Sequence, residues 1–298
     1  VFKIITIILL ACTTAFAAEG LDALNDDALM NELAGRGLDT LLERAFDVDQ
    51  VPSSEREGRR TLLALSRLAD PNSHLSIAQR QKLVSDIVAG IENALPSLND
   101  PNLLMRQAFV LITQGAERDV NTLEYWGENT HTQAELRPIV QTVIKILDRC
   151  AQLAKSQSDD IANSITSPSS PGVAKYEQLD RLAATALYTK NMVAYYLAIS
   201  MDWADPQRYT VASDAMDYLK QFDVPQNPDR CVVRNRMAKL AMAKADFDSA
   251  RTLFSSVIND NGTPRPTIPQ QYEARYFTAV SELLAKNPQA AEKDLNNL

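Results

Sequence analysis

The sequence predicts an all-α chain that ends in a run of helical hairpins, and three observations lead there. Only 9 of its 298 residues are Gly, whereas Ala and Leu, the strongest helix formers, are abundant throughout. Apolar residues recur every three to four positions, most clearly over 133–155, where Leu136, Ile139, Val140, Val143, Ile144, Leu147, Cys150, Leu153 and Ala154 keep one stripe. Residues 238–254 carry a tight hairpin corner: Ala238, Ala241 and Ala245 close one helix, Asp246-Phe247-Asp248 turns the chain, and Ala250 and Phe254 open the next.

The N-terminus has the parts of a secretory signal peptide over 1–17. Lys3 supplies a positive charge, 4–11 is a short apolar stretch, and Ala15-Phe16-Ala17 is a small-x-small cleavage site, with the cut expected after Ala17. The apolar stretch is shorter than the roughly 20 residues a membrane span needs, and no later segment is apolar enough to span. Leu9-Leu10-Ala11-Cys12 offers a rival route, a bacterial lipobox in which Cys12 is lipidated and becomes the first residue. Either route places the chain in the periplasm or outside the cell, free or lipid-anchored. The chain stops at Asn296-Asn297-Leu298, inside an apparent helix, so a longer natural protein is also expected.

The elements then follow in order. Ala23, Leu24, Leu29 and Leu33 form one apolar set and Leu38, Leu41, Leu42 and Ala45 a second, with Gly35-Arg36-Gly37 between them. Ser53 and Ser54 offer cap hydroxyls to a helix carrying Leu62, Leu65 and Leu68, which Asp70-Pro71-Asn72 ends. Ser76 caps a helix reaching about Leu95, with Val84, Ile87, Val88 and Ile91 on its apolar face. After the Asn99-Asp100-Pro101 turn, 103–114 is another apolar helix, and 115–131 reads as polar and irregular apart from Tyr125-Trp126-Gly127. The Ser/Pro-rich segment 166–172 suits an exposed linker. It divides an N-terminal helical region over 18–165 from a repeat region over 173–298.

Within that repeat region Ala212, Ala250 and Ala291 fall 38 and 41 residues apart and take similar places in successive hairpins. Tyr196, Ile199, Ser200 and Trp203 pack the first helix of the first unit, with Ala212, Met216 and Leu219 on the second. Ala279 faces Ala291 and Leu295 in the last unit, where Pro288 suits the first position of a helix. These hairpins resemble tetratricopeptide repeats over roughly 192–298. The likeness departs from the family pattern at Ala245, where Gly is usual, at Val257, where Ala is usual, and in spacing, since the family's unit is about 34 residues. The resemblance implies a stacked solenoid whose first helices line a surface that binds an extended peptide or a partner helix. On that geometry Arg234, Arg236, Lys239 and Arg275 line the groove and favour an acidic peptide. The plainer reading makes them solvated surface charges.

Little in the chain announces chemistry. With a formal charge of -8 and no basic run longer than Arg59-Arg60, nucleic acid is not an expected partner. His74 and His131 have no metal-ligand spacing to Cys, His or carboxylate, so no metal site or cofactor is expected. No nucleophile elbow, zinc-protease or phosphate-loop motif is present. Cys150 and Cys231 could pair in an oxidising compartment or sit buried as small apolar groups, and the apolar face around Cys150 favours the second. Asn261-Gly262-Thr263 has the form of a glycosylation acceptor and marks an exposed loop. Tyr125-Trp126 reads either as a binding anchor or as rings packed down onto neighbouring helices. The expectation is therefore a non-enzymatic scaffold or adaptor in the cell envelope, bound to a protein or peptide. One alternative is a helical enzyme with a carboxylate-lined cleft, such as a glycoside hydrolase, although Asp159-Asp160 and Glu55/Glu57 read as solvated charges and aromatic residues amount to only 6%. The other is a lipid-anchored assembly factor at a membrane.

Overall fold

The computed structural model describes residues 39–48, 53–70, 75–167 and 170–296. The leader with Cys12, the apolar set at 23–33, Leu38 and His74 lie outside the described residues, as do the side chains of Ser53, Ser54, Glu55 and Glu57. Every regular element among the described residues is helical. The chain divides into two compact units, one running to Asn99 and taking in Phe109–Gly115, the other made of Asp100–Ala108 and everything from Ala116 on.

The first unit contains α1 (Asp39–Val48), α2 (Ser53–Ala69) and α3 (Ile77–Ala94). Leu42 and Phe46 of α1 pack on Leu63 of α2. Glu43 accepts hydrogen bonds from Arg56 and Arg60 across the same pair, and Arg56 also reaches Asp47 at 2.6 Å. Ser76 caps α3 as expected and forms a reciprocal box with Gln79, in which each side chain accepts the other's backbone N–H. Arg80 of α3 donates to the Gln114 side chain at 2.6 Å.

α4 (Pro101–Val110) starts the second unit, but its end from Phe109 and the π-helical segment that follows, Leu111–Ala116, belong to the first as far as Gly115. The next stretch corrects the sequence expectation, because 117–126 is not irregular but a helix, α5 (Glu117–Trp126). Its apolar stripe is only Val120 and Leu123, joined by the buried Ala116 before it. That is too short to stand out from its polar neighbours by periodicity alone. The long helix α6 (Thr130–Ala162) extends the predicted 133–155 at both ends and is capped by Asn129, whose side chain accepts from His131 and Thr132 N–H groups. Segment 163–172 joins α6 to α7 (Val173–Ile199) inside this unit.

From α7 onward the chain is a series of helix pairs: α7 with α8 (Pro206–Leu219), α9 (Arg230–Ala243) with α10 (Phe247–Ile258), and α11 (Ile268–Leu284) with α12 (Pro288–Leu295). Each helix packs on the next, and α9 also packs on both α7 and α11, so the first helices of the three pairs stand side by side. This is the generic hairpin-repeat arrangement. Its core includes Leu219, Ala238, Ala241, Phe254 and Phe277, with the Phe254 and Phe277 rings stacked at 6.2 Å.

The corner at 238–254 is a hairpin turn as the sequence suggested, but it turns at Lys244-Ala245-Asp246, because Phe247 and Asp248 already belong to α10, and its geometry recurs. Asp246 N–H donates to the Ala241 carbonyl and Ala245 N–H to the Met242 carbonyl, with Ala245 in the left-handed region at φ 62°. This is a Schellman turn. Asn287 N–H to Glu282, Lys286 N–H to Leu283 and Lys286 at φ 63° repeat it 41 residues later. The residues that cap the second helices, Asp205, Asp246 and Asn287, are evenly spaced at 41. Ala250 and Ala291 sit four residues past their caps. Ala212, also buried, sits seven past Asp205, about one helical turn further along, which is why the alanines alone gave an uneven 38 and 41.

Ala245 occupies a conformation that costs an L-residue roughly 1–2 kcal/mol and Gly almost nothing, partly offset by the greater freedom of Gly in the unfolded chain. Ala245→Gly is expected to raise stability in urea unfolding by about 0.5–1 kcal/mol, whereas Ala241→Gly, inside α9, should lower it by about 1 kcal/mol. Equal losses for both would contradict the turn geometry.

Candidate functional site

Where α7, α9 and α11 meet, a largely buried cluster takes in two of the residues singled out from sequence, Arg236 and Lys239. α9 brings Asn235, Arg236 and Lys239, α11 brings Glu273, Tyr276 and Phe277, and α7 brings Tyr195 and Tyr196. The spacing of four between Asn235 and Lys239, and between Glu273 and Phe277, sets each pair on one helix face.

Lys239 is the centre of the arrangement. Its side chain is only 6% exposed, and its ammonium lies 2.8 Å from Glu124 of α5 and 2.7 Å from Glu273. It also stands 4.0 Å from the Phe277 ring centroid, a cation–π distance. Burial favours the neutral amine, but the two carboxylates outweigh it and hold the Lys239 pKa above its ordinary value. For Glu273 burial acts to raise the pKa, and Lys239 more than reverses that, leaving the group lowered. Arg236 lies 5.1 Å from the Tyr195 ring and 5.0 Å from that of Tyr196. Burial opposes its charge, and Tyr196, Glu124 and Glu273 restore it. Tyr195 is buried beside Glu124, and burial first, then that carboxylate, push its phenol well above the usual range. Asn235 donates to the Gln270 carbonyl at 3.1 Å and to Glu273 at 3.2 Å.

The remaining predicted residues separate from this cluster. Arg234 belongs to a second ionic group, donating to Asp223 at 2.6 Å and to Asp260 at 3.0 Å. Asp260 is also bound by Arg230 and by the Gly262 N–H. A Cβ at Gly262 would stand 1.9 Å from the Arg230 guanidinium, so the glycine of the Asn-Gly-Thr loop gives Arg230 its space. Arg275 is half-buried on α11. Tyr125 lies 5.3 Å from Tyr276 and 6.4 Å from Phe277 by ring centroids while still 55% exposed, and Trp126 is 88% exposed. The pair therefore divides, one ring packed and one in solvent.

Glu124 and Glu273, which neutralise the cluster, had no signal in the sequence. Nor did Arg208, a buried residue that donates to the carbonyls of Met201 and Ala243, each at 2.8 Å, and to Glu128 at 2.7 Å, with its guanidinium 3.7 Å over the Trp203 ring. Gln133 of α6 adds bonds to the Ile199 and Met201 carbonyls. Together they tie the α5–α6 junction to the first hairpin turn, and Arg208 places a cation at the C-terminal end of α9, where the helix dipole favours one.

Cys150 and Cys231 are both buried and free. Cys150 Sγ lies 3.1 Å from the Pro101 carbonyl, and burial pushes its thiol up to about 12. Cys231 sits beside Asp260. Asp159 pairs with Lys155 at 2.8 Å on the exposed side of α6. No group of three metal-ligating side chains occurs among the described residues, and no described helix is long and apolar enough to cross a membrane. In comparisons with known proteins, no family model, no curated protein and no solved structure matches the chain.

Removing one partner of a buried ion pair strands the other charge. Lys239→Ala, which leaves the two buried carboxylates Glu124 and Glu273 against the single cation Arg236, is expected to cost about 3–5 kcal/mol in urea unfolding; a loss below about 1 kcal/mol, as at solvated pairs, would contradict the buried cluster. The pH dependence has a definite sign. Glu273, lowered from 4.5, stabilises above that value and loses the contribution as pH falls through its folded pKa; Lys239, raised from 10.5, stabilises below that value and loses it as pH rises through its folded pKa. Urea midpoints for Glu273→Gln should show a shallower decline below about pH 4.5 than wild type. An unchanged acid limb would show that Glu273 is not held low.

Proposed function

We propose that this chain is an exported scaffold or adaptor whose tetratricopeptide-like hairpins bind a protein partner in the cell envelope. In this reading it has no catalytic residues and no cofactor of its own. The carrying observation is the side-by-side packing of α7, α9 and α11. Isolated hairpins cannot bury their own apolar faces, but stacked ones share a core and leave the first helices as one continuous surface. On α11 that surface keeps large side chains in solvent, with Ile268 69% and Tyr272 51% exposed. They stand about two and one helical turns, respectively, before the packed Tyr276. Exposed aromatic residues on a rigid helix suit a protein-binding anchor, since Tyr offers large contact area at little entropic cost. Export rests on the Ala15-Phe16-Ala17 cleavage site, with Cys12 lipidation as the anchored variant of the same role.

Photo-crosslinking in the producing cells tests the surface. A benzoylphenylalanine at Tyr272 or Ile268 is expected to capture one discrete protein, while the same group at Thr252 or Ser255, exposed on α10, should not. Capture from α10 alone would place the partner elsewhere and overturn the reading. The mass of the mature N-terminus identifies the exported form: a chain starting at Ala18 is free, and a lipidated Cys12 is anchored.

A further inference from the structure

The partner surface already holds an occupant, and it comes from the same chain. Glu124 reaches Lys239 from 115 positions away in sequence, and both side chains are 6% exposed. The next residue, Tyr125, lies over Tyr276 and Phe277. An acidic residue followed by an aromatic one thus engages an ammonium and an aromatic pair on α9 and α11. We propose that α5 is a built-in competitor for the first-helix surface, and that the partner displaces it with a segment of the same chemistry, an acidic residue followed directly by an aromatic one. This rests on the reading that α7, α9 and α11 form the partner-binding surface.

Four features of α5 fit an occupant that leaves. It is 10 residues long, shorter than the roughly 12–15 below which a helix is marginal without tertiary support. Its buried apolar residues are only Val120 and Leu123. Its two ends are places where helical geometry changes: the π-helical segment Leu111–Ala116 precedes it, and Gly127 at φ 84° follows. Its grip on α9 and α11 runs through the side chains of Glu124 and Tyr125 at its last turn, next to the exposed Trp126.

The surface also offers a partner more than α5 uses. Arg236 Nη1 is buried and has no hydrogen-bond acceptor, so a ligand carboxylate placed between Lys239 and Arg236 would gain a bond that Glu124 does not make. Ile268 and Tyr272 continue the α11 face beyond Tyr276 and remain exposed. A partner segment that begins on the Glu124-Tyr125 site and extends along α11 covers apolar area that α5 leaves wet. An intramolecular occupant has an effective concentration in the millimolar range. A short peptide that merely copies α5 should therefore fail against the wild-type chain and succeed once the built-in copy is removed.

The test uses the mature chain and a fluorescein-labelled peptide of residues 117–128, read by fluorescence anisotropy. The peptide is expected to bind the Glu124→Ala/Tyr125→Ala chain at least about 10-fold more tightly than wild type. A peptide carrying Lys at the position of Glu124 should lose that binding. Equal affinity for wild type and the double variant, or binding indifferent to the peptide's charge reversal, would overturn the proposal. Because the double substitution could unfold the chain, hydrogen exchange on wild type provides an independent reading. Amides of α5 should exchange at least about 10-fold faster than those of α9 and α11, as a separately opening segment must; protection equal to α9 would overturn the proposal without any variant. Failure of the peptide together with partner capture at Tyr272 would overturn the built-in competitor and leave the scaffold reading standing. Charge-dependent peptide binding with capture only from α10 would uphold the acidic-aromatic site and overturn the first-helix surface as the partner's.

Discussion

A lysine ammonium buried among helices has to be neutralised where it stands, and much of the second unit is arranged around that requirement at Lys239. Water cannot solvate it there, and an isolated buried charge would cost several kcal/mol or force deprotonation. Glu273 comes from the neighbouring first helix and Glu124 from a helix outside the hairpin series. The same two carboxylates sustain Arg236, and Tyr195 is buried against one of them. The result is a four-charge group with aromatic walls that joins α5, α7, α9 and α11. A hydrophobic core would hold these helices without choosing among similar packings. A set of charges that must meet specific partners selects one arrangement.

Much of the architecture was legible in the sequence because helices leave local traces. Ser76 before its helix and Pro288 at the first helical position are cap signals that act over a few residues, and each appears in the structure. The hairpin corner could be read because small residues and a short polar turn are adjacent in the chain. The period was harder to see. Buried alanines are interchangeable along a helix face, so Ala212 stood in for a position one turn away, while the regular feature proved to be the caps at Asp205, Asp246 and Asn287. Spaced at 41, they describe a helical-hairpin repeat longer than the roughly 34-residue unit the resemblance suggested.

The candidate site was less legible because its determinants are pairs distant in sequence. Lys239 and Arg236 could be placed on a first helix and recognised as cations, but nothing local to them indicates that Glu124 returns across 115 residues to pair with one of them. Charged side chains on an amphipathic helix normally face water, which made both solvated charges and an open groove reasonable expectations. The structure instead buries Lys239 and sends Arg234 to Asp223 and Asp260. The helix at 117–126 is hidden in the sequence for the same reason. α5 has only a thin apolar stripe of its own, and its last turn is held by an ion pair and a ring contact that no periodicity records.

Glu124 of α5 and Lys239 of α9 hold the two helices together through one ion pair. A double-mutant cycle with Glu124→Gln and Lys239→Met, read by urea unfolding, isolates that term from the other losses each substitution causes. A coupling energy above about 1.5 kcal/mol is expected, as close desolvated charge pairs give. Additivity of the two substitutions within about 0.3 kcal/mol would mean that α5 does not engage α9 through this pair.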